Sequence, residues 1–154
     1  MQIILLTHSR EVSKKTNTGQ LVQQLIPHTQ TIIWQRTQPD KKLLQLINTG
    51  KTALVYPSDE EVNSAVNYDF ENYILIDGTW QEARKIYNRS PYLQNLTRLS
   101  LTNHSQSKYT LRRNQLEDGL CTAECAIELL LAKGKNELAN ELQSSFSRFI
   151  LEAG

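Results

Sequence analysis

The stretch Ile74-Leu75-Ile76-Asp77-Gly78-Thr79-Trp80-Gln81-Glu82-Ala83-Arg84 decides the fold. An apolar run stops at a carboxylate and a glycine, and a helical pattern begins at once. Large apolar residues without polar alternation fit a strand buried on both faces. Thr79 followed three residues later by Glu82 forms a capping box, which puts the N-cap at Thr79 and the helix start at Trp80. A strand that runs straight into a helix is the repeating element of an α/β fold.

The same alternation extends in both directions. Strands are predicted at 3–6, 31–34, 52–56, 73–76 and 98–101, each bounded by polar or turn residues. Helices are predicted at 18–26, at 41–48 with Gly50 as the stop, and at 80–88. A second capping-box pattern, Ser58-Asp59-Glu60-Glu61 after Pro57, predicts another short helix. The tail reads as two amphipathic helices, 122–133 and 137–151, parted around Gly134. No Pro/Gly/Ser linker, low-complexity tract or repeat divides the 154 residues, so the expectation is one domain over 1–154. Strands joined by helices imply a mainly parallel sheet with helices on both faces. In such sheets ligands bind outside the carboxyl ends of the strands. Tyr56-Pro57-Ser58 and Asp77-Gly78-Thr79-Trp80 both fall there.

Because Thr79 supplies the cap, Asp77 is not needed as one. An ionised group at the end of a buried strand is costly without partners. Asp77 is therefore a candidate functional carboxylate; the alternatives are an Asx-turn across Gly78 or an acid facing the positive helix end. Trp80 is open to two readings in the same way, ligand contact or core anchor.

Composition narrows the function classes. With 17 basic and 16 acidic side chains the formal charge is +1, so a polyanion partner must be met by local patches. Three such patches occur: Lys14 and Lys15; Arg84, Lys85 and Arg89; and Lys108, Arg112 and Arg113 around Tyr109. Each fits either phosphate contact or a solvated face. The first strand is followed by Thr7-His8-Ser9-Arg10, not GxGxxG, and GxxxxGK[ST] is absent, which argues against dinucleotide and P-loop chemistry. His8, His28 and His104 are far apart, and no CxxC or HExxH accompanies them, so no metal site is expected. Cys121 and Cys125, one helical turn apart, are read as small buried residues. No secretory leader or membrane span is expected, and the chain reads as cytoplasmic.

Taken together, the motifs resemble the DTW-domain family, whose Asp-x-Thr-Trp signature stands here as Asp77-Gly78-Thr79-Trp80. Further landmarks occur in order. His8 and Glu11 with Asn17-Thr18-Gly19 resemble the N-terminal pattern, and Tyr56-Pro57-Ser58 resembles the Pro-Ser turn. Ala83-Arg84-Lys85, Tyr109-x-x-Arg112 and Gly119-Leu120-Cys121-Thr122-Ala123-Glu124 follow. Two departures are that the chain starts at the first strand, without an N-terminal cysteine-rich zinc-binding segment, and that Cys121 stands where Ser is usual.

The resemblance implies a SPOUT-like fold with a C-terminal trefoil knot. It also implies a tRNA-uridine aminocarboxypropyltransferase that uses S-adenosylmethionine and acts on uridine N3. Asp77 is then the expected base. Tyr56, Pro57, Ser58, Leu120, Cys121 and Thr122 are expected around the adenosine, and Gly78, Thr79 and Trp80 around the methionine portion. Glu124 is expected either at the cofactor or as a helix-start acid. The tRNA contacts are expected from Lys14, Lys15, Arg84, Lys85, Lys108, Arg112 and Arg113. A methyltransferase of the same fold and a non-catalytic RNA-binding module are the rival readings, and the sequence leaves the oligomeric state open.

Overall fold

The computed structural model describes residues 1–55, 69–99 and 121–153. Five strands, β1 (Gln2–Thr7), β2 (Gln30–Ile33), β3 (Thr52–Val55), β4 (Asn72–Asp77) and β5 (Thr97–Leu99), form one sheet in the order β2-β1-β4-β3-β5. Every pairing in it is parallel, as the alternation of strands and helices predicts. The helices are α1 (Gly19–Leu25), α2 (Lys41–Asn48), α3 (Trp80–Asn88), α4 (Pro91–Gln94), α5 (Thr122–Ala132) and α6 (Asn136–Ala153).

The three inner strands β1, β4 and β3 are largely apolar because both faces of the sheet are covered there, whereas the edge strands β2 and β5 carry exposed polar residues. Ile3, Leu5, Ala53, Val55, Tyr73, Leu75 and Leu99 point to one side and pack with α1, α5 and α6. Ile4, Leu6, Ile32, Leu54 and Ile74 point to the other and pack with Leu43 of α2, Ile86 of α3 and Leu93 of α4. Period-two alternation thus survives, but each face finds an apolar partner. Asp40 caps α2 by accepting the Leu43 N–H at 3.0 Å. Gly134, at φ 75°, turns the chain between α5 and α6.

Most predicted boundaries shift by a residue or two. The second strand is Gln30–Ile33, so Trp34 lies just past it, its N–H still bonded to the Thr7 carbonyl at 2.9 Å. A 3-10 turn at Ser9–Glu11 and the short α4 were not predicted; both are too brief to show a hydrophobic period. Tyr56 at the end of the third predicted strand, the capping box at 58–61 and positions 100 and 101 of the fifth strand lie outside the described residues.

β1 and β4 are neighbours, with Thr7 opposite Asp77 in register. The helix after β1 lies on one face, and the helix after β4 lies on the other. The two chains therefore part at the carboxyl ends of β1 and β4, which opens a crevice at a topological switch point.

Candidate active site

Asp77 ends β4 in that crevice. It is 4% exposed, and both of its oxygens are engaged. Oδ1 accepts from Thr122 Oγ1 at 2.8 Å and from Asn17 Nδ2 at 3.0 Å; Oδ2 accepts from the same Asn17 nitrogen at 2.9 Å and from Thr7 Oγ1 at 3.2 Å. The carboxylate therefore joins β1, the segment before α1, β4 and the start of α5. Burial raises its pKa above the ordinary value; the Asn17 and Thr122 hydrogen bonds oppose the rise, the nearby Glu11 charge adds to it, and the Thr7 bond opposes it again.

No Asx-turn forms across Gly78. The Thr79 N–H that such a turn would use goes to Glu82 Oε1 at 2.8 Å, while Thr79 Oγ1 accepts the Glu82 N–H at 3.2 Å. The capping box forms as the spacing predicts. It also leaves the N–H groups of Trp80 and Gln81 in the first turn, where a helix has no acceptor of its own to offer. Replacing Thr79 with Ala is expected to cost about 0.5–2 kcal/mol of stability. Urea unfolding measures that loss, and an unchanged midpoint would mean that the box contributes nothing.

Around Asp77 the segment from Glu11 to Gly19 is unusually polar for a buried one. Glu11, Asn17 and Thr18 are all buried. Asn17 Oδ1 accepts the Gln20 N–H at 3.0 Å, which aims its amide nitrogen at the carboxylates. That nitrogen also lies 3.2 Å from Glu11 Oε2. Thr18 Oγ1 accepts the Ala123 N–H at 3.1 Å, fastening the first turn of α5 to the start of α1. A Cβ on Gly19 would stand 2.5 Å from Asp77 Oδ2 and 2.8 Å from its Cγ, so only glycine fits this close approach.

His8 flanks the crevice. Its ring stacks on Trp34 at 6.1 Å between centroids, and Trp34 Nε1 donates to Ser90 Oγ at 2.9 Å. His8 Nδ1 accepts the Arg10 N–H at 3.2 Å and lies 3.5 Å from Glu82 Oε2. One ring nitrogen cannot accept from Arg10 and donate to Glu82 at once. The shorter contact to Arg10 is the hydrogen bond.

The structure brings Asp77, Gly78, Thr79, Trp80, Cys121, Thr122 and Glu124 to the same end of the sheet. Gly78, Thr79 and Trp80 are half-buried. The Arg84 guanidinium lies 5.2 Å above the Trp80 ring, one helical turn on. Thr122 turns its hydroxyl to Asp77, and Glu124 Oε1 accepts the Cys121 N–H at 3.1 Å, the bond of a helix-start acid. Cys121 and Cys125 keep part of their residue surface exposed, but both pack against the core. Burial and the Glu124 charge push both thiols up, Cys125 to about 12, so neither is a ready nucleophile.

Of the basic positions, Lys14, Lys15, Arg84 and Lys85 are exposed. Lys14 Nζ is paired with Glu11 Oε1 at 3.2 Å. Tyr56, Pro57, Ser58, Lys108, Arg112, Arg113 and Leu120 lie outside the described residues. Among the described residues no group of three metal-ligating side chains is gathered, and no helix is long and apolar enough to cross a membrane. A cavity of about 890 Å³ runs along the outer edge strand β2 and the start of α2, lined by Thr31, Gln35, Asp40 and Lys41. It is open and of mixed polarity, and it lies away from the Asp77 cluster, where the buried charge is concentrated.

Glu11, Asn17, Thr18 and Gly19 were legible only as ordered landmarks. Thr7 gave no signal at all. What the sequence offered was a polar stretch beside a strand end; which carboxylate it would meet was not in the local spacing.

Comparison with known proteins adds to this geometry. A family model described as DTW domain matches residues 1–153. Relatives in Drosophila melanogaster, Macaca fascicularis and Mus musculus are each named tRNA-uridine aminocarboxypropyltransferase 2. The fly protein is 29% identical over 137 residues, which cover 84% of this chain and 55% of the relative. The macaque and mouse proteins are 26% identical over 148 residues, 90% of this chain and 50% of each relative. The chain thus spans about half the length of the curated relatives it matches. No solved structure matches it significantly.

Proposed function

The chain belongs to the DTW-domain family, and from that premise we propose that it transfers the aminocarboxypropyl group of S-adenosylmethionine to N3 of a uridine in tRNA. The observation that carries the reading is Asp77, a buried carboxylate at the switch point of a parallel sheet with its proton affinity raised. The names of the relatives support tRNA as the substrate class and the aminocarboxypropyl group as the cargo.

When bound, S-adenosylmethionine would supply a γ-carbon made electrophilic by its sulfonium, with methylthioadenosine as the leaving group that keeps the sulfur electron pair. The residues present fit that group. The first turn of α3 has the Trp80 and Gln81 N–H groups and a positive dipole end for a carboxylate. Trp80 already has a cation over its ring, and a second cationic group is suited to its other face. Cys121 and Thr122, together with Tyr56, Pro57, Ser58 and Leu120, are the proposed adenosine contacts.

Uridine N3 is a poor nucleophile while it holds its proton. Asp77 takes that proton, and its raised proton affinity makes it a better base than an ordinary carboxylate. Because it is 4% exposed, N3 must enter the crevice against it or pass the proton through a hydroxyl partner such as Thr122. Lys14, Lys15, Arg84 and Lys85, with Lys108, Arg112 and Arg113, are the proposed phosphate contacts. The reading extends to a SPOUT-like fold with a C-terminal trefoil knot and to a cytoplasmic location. The all-parallel sheet and the seating of α5 beside β4 agree with that fold.

Incubation with S-adenosylmethionine and unmodified tRNA is expected to yield methylthioadenosine and a uridine heavier by one aminocarboxypropyl group. Mass spectrometry of the nucleosides reads the outcome. S-adenosylhomocysteine with a methylated nucleoside would overturn this in favour of a methyltransferase. Binding of tRNA without either product would leave a binding module.

A further inference from the structure

We propose that Lys14, Glu11 and Asn17 form a positioning relay through which an RNA phosphate at the surface sets the proton affinity of Asp77 in the crevice. This rests on the reading of Asp77 as the base. Lys14 is 42% exposed at its side chain and Glu11 is 0% exposed, so the 3.2 Å pair between them joins solvent to the interior. Glu11 Oε2 then lies 3.2 Å from Asn17 Nδ2, and the same nitrogen lies 2.9 and 3.0 Å from the two oxygens of Asp77. One amide group serves two buried carboxylates.

Two like charges so placed raise the cost of ionising each other. Lys14 offsets the Glu11 charge from outside. An exposed ammonium can move to a phosphate, and Lys14 stands beside the exposed Lys15 on the same segment as Glu11 and Asn17. When a phosphate draws Lys14 away, Glu11 loses that compensation and the pair of carboxylates holds its last proton more tightly. Asp77 becomes a stronger base when RNA arrives.

Among the described residues, three further ionisable groups near the crevice have hydrogen-bond partners of their own. Glu82 Oε1 accepts the Thr79 N–H, Glu124 Oε1 accepts the Cys121 N–H, and His8 Nδ1 accepts the Arg10 N–H. The Cys121 thiol is held neutral by burial. The starts of α1 and α5 both face Asp77 and favour its charged form, but they are unchanged by what Lys14 does.

Carboxyl-detected NMR titration of the whole chain tests the relay without needing transfer activity, so it stands or falls separately from the proposed reaction. Glu11 and Asp77 are expected to titrate as a coupled pair. Lys14→Met should move the upper step of the pair to higher pH by about half a unit or more. A short oligouridylate should do the same to the wild type and nothing further to Lys14→Met. Glu11→Gln should leave Asp77 with a single step at lower pH. If that variant does not fold, the surface substitution Lys14→Met still decides the matter. An Asp77 step that does not move in Lys14→Met overturns the relay.

Kinetics give a second readout if transfer is observed. The pH limb of kcat/KM reports the free enzyme, and that of kcat reports the RNA complex. Lys14→Met should shift the first upward and leave the second in place, because bound RNA has already drawn the lysine off. A raised KM with both limbs unmoved would make Lys14 a plain phosphate contact and would overturn the relay.

Discussion

Asp77→Asn is expected to leave the protein folded while transfer falls by about 10²–10⁴-fold, the range for a lost general base. Asn keeps one oxygen to accept from Thr122 and Asn17. Its amide can donate to Thr7 Oγ1 but meets the Asn17 amide donor, so about one hydrogen bond is lost, worth roughly 0.5–1.5 kcal/mol. Against that, the cost of burying a charge disappears. Melting temperatures near neutrality should therefore be close.

The pH dependence of stability separates the charge from the shape. Burial raises the Asp77 pKa above its ordinary value of 3.8, so the native state binds that proton more tightly than the unfolded state. The wild type has the resulting stabilisation below the ordinary value and loses it as pH rises through the raised one. Asp77→Asn has no such slope, so it should gain on the wild type as pH rises through that window. A folded variant that transfers at the wild-type rate would return Asp77 to a purely structural tie between β1, β4 and α5. Equal pH slopes in the two proteins would contradict the raised pKa.

Gly19→Ala is expected to be the more damaging change to the fold. Helix propensity alone favours Ala by about 1 kcal/mol at a helical position. Sterics oppose it, because the new methyl group would meet Asp77 Oδ2 at 2.5 Å, Asp77 Cγ at 2.8 Å and Asn17 Oδ1 at 3.0 Å. These atoms belong to a buried and mutually bonded cluster, not to a flexible chain end. Overpacking of this kind costs about 1–3 kcal/mol, which for a domain of this size lowers the melting temperature by roughly 2–12 °C. Because a displacement of about 1 Å at a reacting group costs about 100-fold, transfer should fall even in the molecules that stay folded. A Gly19→Ala protein with raised stability and unchanged transfer would show that the cluster yields freely and that its geometry is not needed.

The sequence by itself determined the local elements of this protein. Apolar runs marked β1, β3 and β4, the three-residue spacing of Thr79 and Glu82 marked the start of α3, and Gly134 marked the break between α5 and α6. These signals are legible because they act within a few residues: a capping bond spans three positions, and a strand buried on both faces needs no polar alternation. The Asp-x-Thr-Trp stretch pointed to Asp77 for the same reason, as an acid that no nearby backbone group required. Tertiary structure decided the rest. The order β2-β1-β4-β3-β5 made β1 and β4 neighbours and so located the switch point. It also chose the partners of Asp77, which stand 60 residues away at Asn17, 45 away at Thr122 and 70 away at Thr7. A buried carboxylate must find donors, but which donors it finds depends on how two layers of helices close over the sheet, and that packing has no local period to read.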